Sequence, residues 1–287
     1  MTYLYKKNCE IRDDAVPPKG MKRIAFQVEY NGSAFYGFQR QKNTEQTVQE
    51  NLEKALSKVA NEPVTLICAG RTDALVHATA QVIHFDTMAE RTEANWVRGV
   101  NSYLPTTIRV IEAQDVGFKF HARFSALSRT YSYLMNASHI KPAHLDTLVT
   151  WVRLYNEHQK GLNLENMKAA ANHLKGCHDF TSFQASGCQA KTATRTMIDI
   201  YFEQRGGIVC LNITANAFLQ HMVRNIMGLL IKVGRGKIHA DYARDLLTLK
   251  DRTQAPDTAS PDGLYFVNVA YPEHLNVRFK PRKPMLF

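Results

Sequence analysis

Cysteine is sparse. Cys9, Cys68, Cys177, Cys188 and Cys210 are scattered along 287 residues, with no Cys-x-x-Cys. An odd, dispersed set excludes a disulfide framework and a zinc ribbon, and it points to a reduced, cytoplasmic setting. His-Glu-x-x-His is missing as well, and His173 and His178 stand five apart, so no metal site is expected. No segment reaches the roughly 18–20 apolar residues of a membrane span; the longest run, near 226–231, is short. The first residues, MTYLYKKNCEIRDD, lack the apolar centre of a signal peptide. With 45% apolar and 22% charged residues, the disordered and low-complexity classes are excluded. Acid is in short supply: 26 Asp and Glu stand against 36 Lys and Arg, a net charge of +10. That surplus suits a polyanion, nucleic acid before an anionic membrane surface.

Residues 1–20 end in Val16-Pro17-Pro18-Lys19-Gly20 and read as an extension ahead of the fold. Ile24, Phe26, Val28 and Tyr30 alternate with polar residues, which predicts a strand with one buried face. Thr47-Val48-Gln49-Glu50 is a capping box, and Val48, Leu52, Leu56 and Val59 give the helix behind it an apolar stripe. Strands are expected at 64–68 and 81–85, around a loop at 69–80. A helix after Thr92 and a strand at 108–113 complete β-α-β-β-α-β, the split βαβ order.

The second half repeats that order with additions. A strand around Tyr131, Tyr133 and Met135 is followed by a less regular stretch at about 138–160. Then come a helix at 164–174, strands at 195–202 and 208–214 joined by Gly206-Gly207, a long helix marked by Phe218, Met222, Ile226 and Leu229, a second helix at 242–249 and a strand at 264–269. The expected fold class is α/β of the α+β type: two ferredoxin-like (split βαβ) domains with largely antiparallel sheets flanking a basic cleft. The boundaries are 1–20 for the extension, 21–124 and 125–275 for the two domains, and 276–287 for a basic tail. Arg278–Lys283 holds four basic residues and no acid, which suits either contact with phosphates or plain solvation.

The densest chemical feature is Cys68-Ala69-Gly70-Arg71-Thr72-Asp73-Ala74-Leu75-Val76-His77-Ala78. It puts an Asp in a tight loop between two apolar strands, two residues after an Arg. An Asp beside an Arg is held ionised. Such a carboxylate serves either as a nucleophile or as half of a loop-anchoring pair. Around it stand Tyr30-Asn31-Gly32-Ser33, Phe35-Tyr36-Gly37-Phe38-Gln39-Arg40, His121-Ala122-Arg123-Phe124, Arg129-Thr130-Tyr131, Asp179-Phe180-Thr181-Ser182-Phe183 and His221-Met222-Val223-Arg224-Asn225. Aromatics interleaved with Gly and Arg suit base stacking and phosphate contact.

In order and spacing these motifs, with Asp262-Gly263-Leu264-Tyr265, resemble the tRNA pseudouridine synthase A family over residues 22–272. The resemblance implies an enzyme that isomerises uridine to pseudouridine in the anticodon stem–loop of tRNA. It implies two α/β domains around a basic cleft, a homodimer, and no cofactor or metal. It makes Asp73 the catalytic nucleophile. Arg71 would pair with Asp73 and hold the flipped-out position open. Tyr131 would stack on the target base and could act as a base, and Leu264 would pack against the target from the last strand. Two positions depart from the family pattern. Leu75 stands where Gly is usual, so either ordinary dihedrals or an altered loop path is expected there. Phe38 stands where Trp is common and would keep an aromatic platform. A non-catalytic RNA binder, a synthase acting on another RNA, and a metalloenzyme are the alternatives.

Overall fold

A computed structural model gives the structure of the chain and describes residues 18–155 and 161–287. Cys9, most of the expected extension and the end of the irregular stretch lie outside the described residues. The first half runs β1 (Lys22–Tyr30), α1 (Val48–Ala60), β2 (Leu66–Cys68), β3 (His77–Thr87), α2 (Glu93–Tyr103), β4 (Ile108–Val116). The second runs β5 (Ser128–Ser138), β6 (Thr150–Arg153), α3 (Leu164–Asn172), β7 (Gly176–Asp179), β8 (Thr194–Arg205), β9 (Ile208–Ala215), α4 (Met222–Gly234), α5 (Tyr242–Leu249), β10 (Leu264–Ala270).

Local chemistry sets the helix starts. The Thr47 side chain accepts from Glu50 N, Thr92 from Asn95 N and Asn163 from Asn166 N. Each bond satisfies one of the amide donors that a helix start leaves unpaired. The alternation of β1 puts Phe26 against Phe85 and Trp96, edge to face. This is the face that the helices cover.

The strands form one sheet in the order β4-β1-β3-β10-β5-β9-β8-β7, with β2 also on β3 and β6 on β5. Pairing is antiparallel except for β3–β10 and β5–β6. The class is thus mixed, with a mostly antiparallel sheet, and the two halves share it. Each half arranges its strands alike: β4-β1-β3-β2 in the first, β10-β5-β9-β8 in the second. The join is narrow. On the edge of β3 away from β1, β10 pairs with His77 and Ala78, while β2 pairs with Ile83–Phe85. The sheet forks there, and the Asp73 loop springs from the fork.

Two expectations change. The long helix begins at Met222, not at Phe218. His221 adopts the left-handed conformation, φ 61°, and separates the two. Phe218 meets Tyr131 edge-on at 5.1 Å instead of extending the helical stripe. The basic tail is not a free arm, although its four basic side chains stay exposed. It lies on the sheet face opposite α1 and α2, because Gln27, out of phase with Phe26 on β1, donates to Lys280 O. Arg278, Arg282 and Lys283 pair with Glu93, Glu29 and Glu203 at 2.8, 3.2 and 2.6 Å. Phe287 packs on a small apolar cluster containing Leu134, Tyr265 and Val267.

Candidate active site

The Asp73 loop crosses from β2 to β3 over eight residues without regular structure. Its backbone groups are therefore held by side chains and backbone groups of neighbouring segments. Gln81 Nε2 donates to Gly70 O at 2.7 Å. The hydroxyls of Tyr30 and Thr72 bond at 2.8 Å inside the core, and Phe38 N donates to Thr72 O. Arg129 donates to Ala69 O through Nε and Nη2, and to Asn216 O through Nη1, so one guanidinium ties the loop to the segment ahead of α4. His77, where the loop re-enters the sheet, accepts from Gly32 N at Nδ1 and bonds Thr147 O at Nε2, each at 3.0 Å. It also stacks on Tyr265 at 4.7 Å. Burial pushes its imidazole below the usual histidine value, in keeping with a neutral ring donating from Nε2. Gly32 is required by space: a Cβ there would stand 2.1 Å from Val76 O.

Asp73 opens into a cleft of about 1440 Å³. Six arginines line it, Arg40, Arg71, Arg123, Arg129, Arg195 and Arg224, and among the described residues Asp73 is the one carboxylate in its wall. Tyr131 and Leu264 line it too. The Tyr131 ring is buried and held edge-on between Phe218 and Phe266, at 5.1 and 5.0 Å. Burial, then the charges of Tyr30 and Asp73, push its hydroxyl far above the ordinary tyrosine value. Leu264 is placed by Gly263, whose φ of 71° and contacts exclude a side chain; a Cβ would stand 2.4 Å from Leu134 O.

The expected Arg71–Asp73 pair does not form. Arg71 is exposed at the cleft. The carboxylate is instead met by the first turn of α4: Arg224 Nη1 lies 3.4 Å and His221 Nε2 3.5 Å from Asp73 Oδ2. Arg224 is itself aimed by its Nε bond to Ala259 O. Oδ1 has no partner among the described residues. His221 and Arg224 belong to a motif that stands out in the sequence. Their spacing of three, at a helix start, was the available signal that both reach one point.

Leu75 does not keep ordinary dihedrals. It takes φ 68°, so the loop follows a glycine-type path with a leucine in it. Phe38 is no platform. It is 1% exposed and tilts against Tyr30 in the core, while Tyr36 is the exposed aromatic of that segment.

A lone carboxylate in an arginine-lined cleft, at the junction of two βαβ-type halves, suits an enzyme that acts on a polyanion. Comparison with known proteins gives the particular family. The sequence model described as tRNA pseudouridine synthase matches residues 27–125 and 170–272, and the chain belongs to that family. It is 47% identical over 267 residues to tRNA pseudouridine synthase A of Pseudomonas aeruginosa, covering 91% of this chain and 92% of that one. It is 48% identical over 255 residues to the protein of that name from Shewanella woodyi, covering 89% and 95%. Among solved structures, a chain of a Cbf5–Nop10–Gar1 complex aligns with a TM-score of 0.33 at 10% identity, covering 85% of this chain and 49% of that one.

Proposed function

We propose that the chain isomerises uridine to pseudouridine in the anticodon stem–loop of tRNA, with Asp73 as nucleophile. The observation that carries this reading is the carboxylate's setting: Arg224 donates to Oδ2, His221 stands 3.5 Å from it, and Asp73 lines an arginine-rich cleft. The reaction breaks the N1–C1′ bond, turns the uracil and joins C5 to C1′. Nothing is oxidised and no group enters, so acid–base and nucleophilic groups suffice. Attack at C1′, attack at C6 and removal of the 2′ proton all call for an ionised carboxylate with one oxygen open to the nucleoside. Asp73, partly exposed in the cleft wall, is placed for any of these.

The target base must leave its stack, at a cost of a few kcal/mol. Tyr131 and Leu264 offer it a mostly apolar floor, and the arginines, Arg71 among them, offer phosphate and base contacts at the mouth. Tyr131 stays a neutral phenol at working pH, given its burial. We therefore read it as a packing and hydrogen-bonding surface. The cleft lies where the proposed halves, 21–124 and 125–275, meet, and a homodimer belongs to the same proposal.

Tritium release from tRNA carrying 5-tritiated uridine tests the reading, because C5 loses its hydrogen when it becomes the glycosidic carbon. Release by the wild type and none by Asp73→Ala, with tRNA binding kept, is the expected result. Release by both proteins would refute Asp73 as nucleophile, and release by neither would refute the activity.

A further inference from the structure

We propose that His221 is the base that takes the C5 proton once the C5–C1′ bond has formed. The inference rests on Asp73 acting as the nucleophile. Once C5 has bonded to C1′ it carries both its hydrogen and the ribose, and the C5–C6 double bond is gone. A base must accept the proton. The C–H electron pair then restores the double bond, and N1, left with the displaced pair, takes a proton from water. The cycle needs no oxidant or reductant.

Among the described residues, Arg224 and His221 stand within 4 Å of Asp73, and Tyr131 borders the same cleft. Arg224 carries no available lone pair. Tyr131 is buried, and its phenolate is correspondingly costly. His121 also borders the cleft, but its Nδ1 accepts from the backbone N–H groups of Arg123 and Phe124, and its ring is buried. His221 stands 3.5 Å from the carboxylate, with its side chain 31% exposed. A ribose attacked by Asp73 would therefore lie beside this imidazole, which is open enough to hand a proton to water.

The backbone supports the assignment. His221 is a non-glycine residue in the left-handed region, at the N-cap of α4, and its side chain makes no capping bond. That conformation is uncommon for a residue with a Cβ. Its carbonyl accepts the Asn225 N–H, as any N-cap carbonyl does, and its imidazole is left out of the cap. What it does is turn the imidazole toward Asp73 one residue before the helix begins. A strained residue aimed into a site is a pointer to function.

The test is His221→Asn. Asparagine tolerates the left-handed backbone, keeps a polar group and supplies no base. The expected result is unchanged tRNA affinity and a single-turnover rate of pseudouridine formation lower by roughly 10²- to 10⁴-fold. A deuterium isotope effect at C5 should exceed that of the wild type, and added imidazole should restore part of the rate. A variant within threefold of wild type overturns the proposal. So does a slow variant with no added isotope effect and no imidazole rescue, which is the mark of a positioning residue. Asp73→Asn, run in parallel, separates the two readings. If it is inactive with and without imidazole while His221→Asn is fast, only the His221 assignment fails. If it stays active, the nucleophile assignment fails and takes this one with it.

Discussion

Leu75 gives the sharpest quantitative check on the geometry of the Asp73 loop. A residue with a Cβ at φ 68° carries roughly 1–2 kcal/mol of strain that glycine does not. Glycine costs roughly 0.5–1 kcal/mol relative to alanine through the freedom it adds to the unfolded chain. At an ordinary position, alanine is therefore the more stable of the two by about that amount. At position 75 the strain outweighs the entropy, and Leu75→Gly should be more stable than Leu75→Ala by about 0.5–1 kcal/mol. Comparing the two variants removes the leucine's own contacts from the argument, since both lose them. The bond from Leu75 N to Phe35 O is available to both. Urea unfolding at 25 °C reads the difference as a shift of midpoint at constant slope. A midpoint for the alanine variant equal to or above that of the glycine variant would refute the left-handed backbone at Leu75, and with it the loop path described here.

Much of this architecture is legible in the residues, for physical reasons. Ile24, Phe26, Val28 and Tyr30 show period two because one face of β1 is covered by helices. Thr47, Thr92 and Asn163 announce helices because a helix start needs acceptors for its free amides. The repeated strand order follows from two such passes along the chain. The union of both halves in one sheet was not legible. It depends on two parallel residue pairs, Tyr265 with His77 and Phe266 with Ala78, and so short a contact leaves no periodic trace. The Asp73 loop could be found from its composition. Its cation could not, because Arg71 is two residues away in sequence while Arg224, 151 residues away, lies nearest in space. Charge pairing at that separation is a product of the fold. The tail misled for a related reason. Its four basic residues read as free charge until the fold supplied Glu29 and Glu203 from the sheet and Glu93 from the start of α2 as partners for three of them.

Deleting residues 277–287 should lower stability by about 1–3 kcal/mol in urea, since it removes three ion pairs and uncovers the Gln27 and Gln114 amides. The slope of log tRNA affinity against log salt should stay the same; a flatter slope would show that the tail does neutralise phosphates. Acid should weaken the fold through His84 of β3 and His121 of the β4–β5 connection, whose rings lie 4.8 Å apart near Arg23. Each ring accepts backbone N–H bonds at Nδ1, His84 from Ala122 and His121 from Arg123 and Phe124. Burial first, then the charge of Arg23, lowers both from the usual 6.5, His121 to about 4. Above pH 6.5 neither state of the chain protonates these rings, so they add no pH dependence. Below it the unfolded chain takes up protons that the folded chain refuses, and stability falls until the folded His121 itself titrates near pH 4. The slope is at most about 1.4 kcal/mol per pH unit for each ring. Carboxylates add their own slope toward the acid end, so the comparison belongs between pH 6.5 and 5, against His121→Gln, which carries no titrating group. The wild type should lose stability more steeply than the variant over that interval. Equal slopes would mean that His121 takes up its proton in the folded chain as readily as in the unfolded one, which two backbone N–H groups pointed at Nδ1 do not permit.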